Sequence, residues 1–128
     1  MIKLPPQLQN QYRELENARQ TSIRIAADIN RLEIQKVSVE NAITELEKAL
    51  EKEQNPIIYK NAGVILIRAP DAKKILEELK EKNELLEMRL KSRRKQLERV
   101  NEQIQTMSNR LTQALQQLRQ SQDFQTPM

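Results

Sequence analysis

The sequence predicts a mainly α-helical protein in which two long helices form an antiparallel coiled coil. A β-hairpin is expected to join the helices and to assemble with hairpins of other chains into an intermolecular β-barrel. Three observations lead to this prediction: a composition suited to long helices, a heptad repeat on both sides of the chain centre, and a short β-rich segment between the repeats. We assign all 128 residues to a single domain.

The composition favours helices and argues against several classes of function. The chain contains one Gly, no His, no Cys and no Trp, and only 2% of its residues are aromatic. Without His or Cys it lacks a thiol nucleophile and the usual zinc ligands, and one glycine cannot form a phosphate-binding loop. The apolar runs are too short to span a bilayer, and the first residues do not resemble a signal peptide. We therefore expect a soluble, cytoplasmic protein with no catalytic residues, no metal and no cofactor.

Prolines set the expected boundaries of the two helices. The first helix is expected over about 5–53, because a proline in the first turn gives up only an amide without a helical partner. The Asn55–Pro56 dipeptide ends this helix, since a residue before proline is pushed toward extended geometry. Asp71 can cap the second helix, which is expected over about 71–119. Residues 120–128 are expected to form a flexible tail.

Both helical segments carry a heptad repeat with apolar a and d positions, which we call the heptad seam. The first segment has the a positions Leu8, Leu15, Ser22, Ile29, Lys36, Ile43 and Leu50 and the d positions Gln11, Ala18, Ile25, Leu32, Val39 and Leu46. The second has the a positions Leu76, Asn83, Leu90, Leu97, Ile104, Leu111 and Leu118 and the d positions Leu79, Leu86, Arg93, Val100, Met107 and Ala114. Because the connection is short, folding back is favoured over a long parallel homodimer, whose helix the central prolines would break.

Two charged residues, Lys36 and Arg93, interrupt the heptad seam. We expect their aliphatic stems to pack in the seam while their charges reach toward Glu33, Glu40 or Glu87. The alternative is a polar layer that fixes the register of the two helices.

The connector predicts a β-hairpin at about 57–68 that is an assembly element. Strongly β-favouring residues flank Lys60-Asn61-Ala62-Gly63, and Gly63 can supply the positive φ that a short turn needs. Both faces of each strand are apolar, and an isolated hairpin is not stable in water, so hairpins of several chains are expected to join in a shared sheet or barrel. The residues assigned to assembly are Ile57, Ile58, Tyr59, Gly63, Val64, Ile65, Leu66 and Ile67.

The two ends of the chain are poor in charge and rich in Gln, and an antiparallel pair would bring them together at a tip. Flexible apolar side chains at such a tip would suit a surface that binds many sequences. The candidates are Met1, Ile2, Leu4, Leu8, Leu111, Leu115, Leu118 and Phe124. For Leu8, Leu111 and Leu118 the alternative is that they complete the heptad seam.

The basic run from Lys91 to Lys95 raises the alternative of nucleic-acid binding. Acidic residues flank the run, and no aromatic residues interleave with it to stack on bases. The formal net charge of +4 is also a modest excess. We therefore interpret the run as a solvated helix face.

In this layout the chain resembles the β-class subunits of prefoldin, specifically those of archaeal type. The resemblance covers nearly the whole chain and is carried by the stretch IYKNAGVILI in the connector and by ILEELKEKNELLEMRL after it. Its most specific elements are Tyr59–Lys60 and Gly63. Only one hairpin is present, whereas α-class subunits carry two, so the resemblance is to the β class.

The resemblance implies a subunit of an ATP-independent chaperone, a holdase, built as a hexamer of two α and four β subunits. The implied partners are a prefoldin α-class subunit, non-native client proteins held at the coiled-coil tips, and a group II chaperonin that receives the clients. Neither nucleic acid nor membrane is expected as a partner. A structural coiled-coil adaptor with one defined partner is the main alternative; an RNA-binding arm is less favoured, and an enzyme is least favoured.

Overall fold

The computed structural model describes the backbone of residues 4–125 and the side chains of residues 4–121. The element order is α1 (Pro6–Lys52), β1 (Ile58–Asn61), β2 (Leu66–Ala69) and α2 (Ala72–Gln125). The predicted fold class of two long helices with an antiparallel two-stranded hairpin between them is confirmed.

Helix α1 begins at the proline pair and ends shortly before the next proline. Pro6 is its first residue, and the Pro5 carbonyl accepts a hydrogen bond from the Gln9 amide at 3.0 Å. The last turn is closed by the Glu53 amide, which donates to the Ala49 carbonyl at 3.1 Å. Pro56 is buried just beyond this point. Both ends fall within one residue of the predicted range.

Helix α2 is capped by Asp71 and is longer than predicted. The Asp71 carboxylate accepts hydrogen bonds from the amides of Lys73 and Lys74 at 3.1 and 3.3 Å, which is N-cap geometry. The helix continues to Gln125, six residues beyond its predicted end at about residue 119, and the flexibility of the end of the chain stays a prediction. The reason is that residues 119–125 contain no Gly or Pro, and the helix-favouring Gln and Arg prevail. Residues 126–128 lie outside the described part of the chain.

Tertiary contacts divide the chain into two units, and both helices run through each of them. We call the part up to Asp28 together with the part from Arg93 onward the end unit. We call Ile29–Ser92, which includes both strands, the hairpin unit.

In the end unit the two helices pack through the heptad seam. Leu8, Leu15 and Leu111 form a buried cluster. The partly buried side chains that pack against the cluster are Leu4, Ile104, Met107, Ala114 and Leu118. Two turns after Leu15 on α1, the Ser22 hydroxyl donates to the side-chain oxygen of Asn101 on α2 at 3.0 Å. This hydrogen bond pairs two polar residues across the helices.

In the hairpin unit the seam is also buried and the helices run antiparallel. Lys36 of α1 forms ion pairs with Glu87 of α2 and with Glu40 one turn further along α1. Eleven residues later on α1, Glu47 lies 3.5 Å from Lys80, seven residues earlier on α2. The buried apolar residues are Val39, Leu46, Ala69, Ala72, Leu86 and Leu90.

The expectation for the two charged seam positions is confirmed at one and wrong at the other. The Lys36 stem is half-buried, and its ammonium reaches Glu40 and Glu87 as predicted. Hydrogen bonding to Glu87, and then to Glu40, raises the pKa of Lys36 above its ordinary value of 10.5. Arg93 is exposed, and its guanidinium donates to the side-chain oxygen of Gln96 at 2.9 Å, one turn further along α2, rather than reaching a predicted glutamate. This local bond takes the place of the predicted contact with Glu33, Glu40 or Glu87.

The hairpin has a different register from the one the sequence suggested. Strand β1 pairs with β2 from Ile58 opposite Ala69 to Asn61 opposite Leu66. The turn therefore comprises residues 62–65, so Val64 and Ile65, predicted as strand residues, lie in the loop. The Ala62 amide donates to the Ile65 carbonyl at 2.9 Å, and Gly63 has a φ of +84°, as a tight turn requires.

Candidate functional site

The hairpin presents a band of exposed apolar side chains, which we call the hairpin band. Its members are Ile57, Tyr59, Val64, Ile65, Leu66 and Ile67, each more than half exposed. Val64, at the tip of the loop, is fully exposed. Six such side chains on one short segment exceed the scattered surface apolar residues normal for a protein and mark an interaction surface.

The two faces of the hairpin differ in their surroundings. Because side chains alternate along a strand, Tyr59 and Leu66 share one face, and both are exposed. Ile58 and Ala69 form a cross-strand pair on the other face, where Ile58 is half-buried and Ala69 is buried. Within the described residues the sheet has only these two strands, so each strand keeps one unpaired edge. Unpaired edges with apolar side chains favour the addition of further strands.

An apolar groove of about 500 Å³ lies in the hairpin unit, between the helix pair and the base of the hairpin. Its apolar lining includes Ala42, Leu46, Ala49, Ala69, Ile75 and Leu79. Its charged lining residues are Glu45, Lys60, Glu78 and Lys82. The sequence did not predict this groove. The only signal was the small side chain of Ala42 and Ala49 at g positions beside the seam, where a longer side chain would fill the space.

The residues predicted for the tip fall into three groups. Leu8 and Leu111 are buried in the end-unit cluster, and Leu4 and Leu118 pack against that cluster while partly exposed. Leu115 is exposed. Met1, Ile2 and the side chain of Phe124 lie outside the described residues. Leu8, Leu111 and Leu118 thus contribute to helix packing, as the alternative for these seam positions proposed, and Leu4 packs with them.

One polar seam position in the end unit is incompletely satisfied. The side-chain oxygen of Gln11, at a d position between Leu8 and Leu15, is buried and has no hydrogen-bond partner among the described residues. The same holds for the side-chain oxygen of Asn83 at an a position of the hairpin unit. A buried polar group without a partner costs on the order of 1–3 kcal/mol, so each amide weakens its part of the seam.

The basic run from Lys91 to Lys95 lies on α2 with every side chain exposed. Among the described residues, no three His, Cys, Asp or Glu side chains are grouped to hold a metal ion. In the same part of the chain, no helix is both long enough and apolar enough to cross a membrane.

These features define a class of protein: a two-helix coiled coil whose connecting hairpin carries an exposed apolar band. Comparisons with known proteins identify the family. The sequence profile of the prefoldin subunit family matches residues 7–118. Among solved structures, that of the prefoldin beta subunit from Thermococcus strain KS-1 superimposes with a TM-score of 0.75 at 26% identity, covering 90% of this chain and 97% of that one.

Similar sequences belong to archaeal prefoldin beta subunits. The beta subunit of Methanothrix thermoacetophila is 35% identical over 116 residues, which cover 91% of this chain and 93% of that protein. The beta subunit of Thermococcus onnurineus is 31% identical over 115 residues, covering 90% of this chain and 96% of that protein. The chain belongs to the prefoldin subunit family, and the predicted resemblance to archaeal beta-class subunits is confirmed. Members of this family are chaperone subunits rather than enzymes.

Proposed function

We propose that the chain is the beta-type subunit of an ATP-independent holdase in the cytoplasm. The hairpin band joins it to alpha-class subunits in a hexamer of two alpha and four beta chains. Apolar side chains at the helix ends of the end unit capture non-native proteins, which are then passed to a group II chaperonin. The observation that carries this proposal is the family match over residues 7–118, together with the exposed hairpin band.

The hairpin band supports the assembly step. Two four-residue strands are too few to be stable alone, and their exposed apolar side chains remain to be covered. Strands from other subunits can pair with the unpaired edges and bury Tyr59 and Leu66 at the same time. Strand pairing and burial of apolar side chains come from the same contact between subunits, so assembly and hairpin stability are coupled.

The end-unit cluster supports the capture step, provided that it opens. Leu8 and Leu111 are buried, so they can contact a client only when the helix ends separate. The unpaired oxygen of Gln11 lowers the cost of this separation, because water can hydrate the amide in the open state. Leu115 is available without opening and offers a first contact.

Several such ends on one assembly explain capture without ATP. A single cluster of a few leucines gives weak binding, which permits release. Linked ends raise the effective concentration of binding sites and can increase the overall affinity by about 10²–10⁴ without any new contact. Release then requires only that individual contacts break in succession.

The test is a Gln11→Leu variant in an aggregation assay with several unrelated chemically denatured proteins. Leucine at this d position removes the unpaired amide and closes the cluster with apolar packing. We expect a higher melting temperature for the end unit. We also expect weaker suppression of aggregation, because separating the helix ends to bind a client now costs more free energy. Protection of many unrelated proteins by the parent chain is also required, since a single stoichiometric partner would indicate an adaptor instead.

Asn83→Leu is the matched control. It removes an equivalent buried, unpaired amide from the seam of the hairpin unit but leaves the end-unit cluster unchanged. This variant should gain stability and protect clients as well as the parent chain does. If Gln11→Leu protects as well as Asn83→Leu does, capture by an opening end-unit cluster is excluded.

A further inference from the structure

The groove at the base of the hairpin leaves apolar side chains of three elements accessible to solvent. Its lining combines Ala42 and Ala49 of α1, Ala69 of β2, and Ile75 and Leu79 of α2. With a volume of about 500 Å³, it can accept two or three aliphatic side chains. Left in water, this apolar surface would carry a cost that burial against a partner removes.

The chain also carries an apolar projection that matches the groove. The segment from Ala62 to Ile67 contains no charged residue, and Val64 and Ile65 extend from its loop into solvent. The positive φ of Gly63 directs the chain through the turn that presents these two side chains. Uncharged aliphatic side chains are the chemistry that the apolar lining would recognise.

The loop does not fill the groove of its own chain. On the hairpin, the groove is lined by Ile58, Tyr59, Lys60 and Ala69, whereas the loop lies beyond the Asn61–Leu66 pair. Neither Val64 nor Ile65 lines the groove, and the structure leaves Val64 fully exposed and Ile65 more than half exposed. The groove is therefore open to a loop from another molecule.

We propose that the groove receives the Val64–Ile65 loop of a second copy of this chain. The contact is heterologous, because the loop of one copy meets a different surface, the groove, on the next. It is continuous with the hairpin band, since Tyr59 belongs to both surfaces. The inference rests on the proposed function in taking the hairpin as the assembly element, and it adds which surfaces of neighbouring copies meet.

Disulfide trapping tests this contact directly, because the sequence contains no cysteine that could form a competing disulfide. Two preparations are made with different affinity tags, one carrying Val64→Cys and the other Ala49→Cys. They are mixed under reducing conditions, assembled and oxidised with copper phenanthroline. Because a disulfide needs Cα atoms within roughly 4.4–6.8 Å, we expect a cross-linked dimer carrying both tags only if the loop occupies the groove.

The control replaces Ala49→Cys by Glu81→Cys, an exposed position on the outward side of α2 in the same unit. The combination of Val64→Cys with Glu81→Cys should give no cross-linked dimer. An Ala42→Trp substitution, which fills the groove, should also remove the Val64–Ala49 cross-link, whereas Ala27→Trp at an exposed position of the end unit should not. Equal cross-linking with Glu81→Cys, or none with Ala49→Cys, would overturn the proposal.

The outcomes separate this inference from the proposed function. Efficient cross-linking between two Val64→Cys copies would show that loops meet loops, which overturns occupancy of the groove but leaves assembly through the hairpin intact. Failure of the aggregation assay with correct Val64–Ala49 cross-linking would instead reject the holdase while the groove contact stands.

Discussion

At the scale of single residues, Lys36 shows how a charged side chain is accommodated in an apolar seam. Its stem packs between the helices, and its ammonium reaches two carboxylates that are themselves about half exposed. Ion pairs this close to water contribute little to stability, because solvent screens them and the side chains lose rotamer freedom. We therefore attribute the stability at this position to the packed stem rather than to the charge.

Replacing Lys36 with leucine should raise the melting temperature by a few degrees. Leucine at an a position packs more apolar surface than the lysine stem does, and Glu40 and Glu87 remain hydrated after the change. Thermal unfolding followed by helicity measures the effect, with Lys91→Leu at an exposed position as the control that should not stabilise. A large drop in melting temperature would instead show that the ion pairs fix the register of the helices.

The same site predicts a pH dependence at the alkaline side. The pKa of Lys36 is raised by Glu87 and then by Glu40, so the stability that its proton contributes is present below the unfolded value of 10.5. This contribution is lost as the pH rises through the higher folded value. The melting-temperature difference between Lys36→Leu and the parent, measured by thermal unfolding at a series of pH values, should therefore widen as the pH rises above 10.5.

At the scale of elements, the start of α2 depends on one carboxylate. Asp71 accepts hydrogen bonds from two amides that have no partner within the helix. An Asp71→Ala variant should lose about 1 kcal/mol of stability. Urea unfolding at a fixed chain concentration measures the loss, and Asp71→Ser, which can still cap, should recover most of it. Equal losses for Ala and Ser would contradict the capping role.

Local signals predicted the elements well because each depends on neighbours in the sequence. The proline pair at Pro5–Pro6 and the cap at Asp71 define helix starts by their own chemistry. The heptad seam identified the packed faces, since period and burial are linked. The end of α2 was missed because nothing in residues 119–125 stops a helix. The observed turn lies two residues later than the predicted one, because Lys60 and Asn61 belong to β1 and pair with Ile67 and Leu66. This pairing depends on the register between the strands, which a local sequence signal does not determine.

The site was predicted less completely because it depends on surroundings that a sequence pattern does not contain. The hairpin band was identified, since apolar residues on both faces of a short strand leave no face for solvent. The groove was not, because it forms where Ala49, Ala69 and Leu79 from three elements approach one another. For Leu8 and Leu111, the sequence left packing and client binding as alternatives; the structure buries both residues, and their role toward clients remains our proposal.

At the scale of the whole molecule, the proposed work is divided between the two units. The hairpin unit carries the surfaces for assembly, and the end unit carries the apolar cluster for capture. Ile65 and Ile67 are both more than half exposed, so changing them should leave the helices of each unit folded. Assembly can thus be removed without altering the cluster around Leu8 and Leu111.

An Ile65→Asp, Ile67→Asp double variant should remain helical but lose the hexamer, because charges on the hairpin band oppose burial between subunits. Native mass spectrometry with the alpha-class partner measures assembly. The chain concentration needed to suppress client aggregation should rise at least about 100-fold, since each cluster now binds alone. Ile34→Asp with Val37→Asp, exposed on α1, is the control that should retain both properties. Equal protection per chain by the unassembled variant would refute multivalent capture.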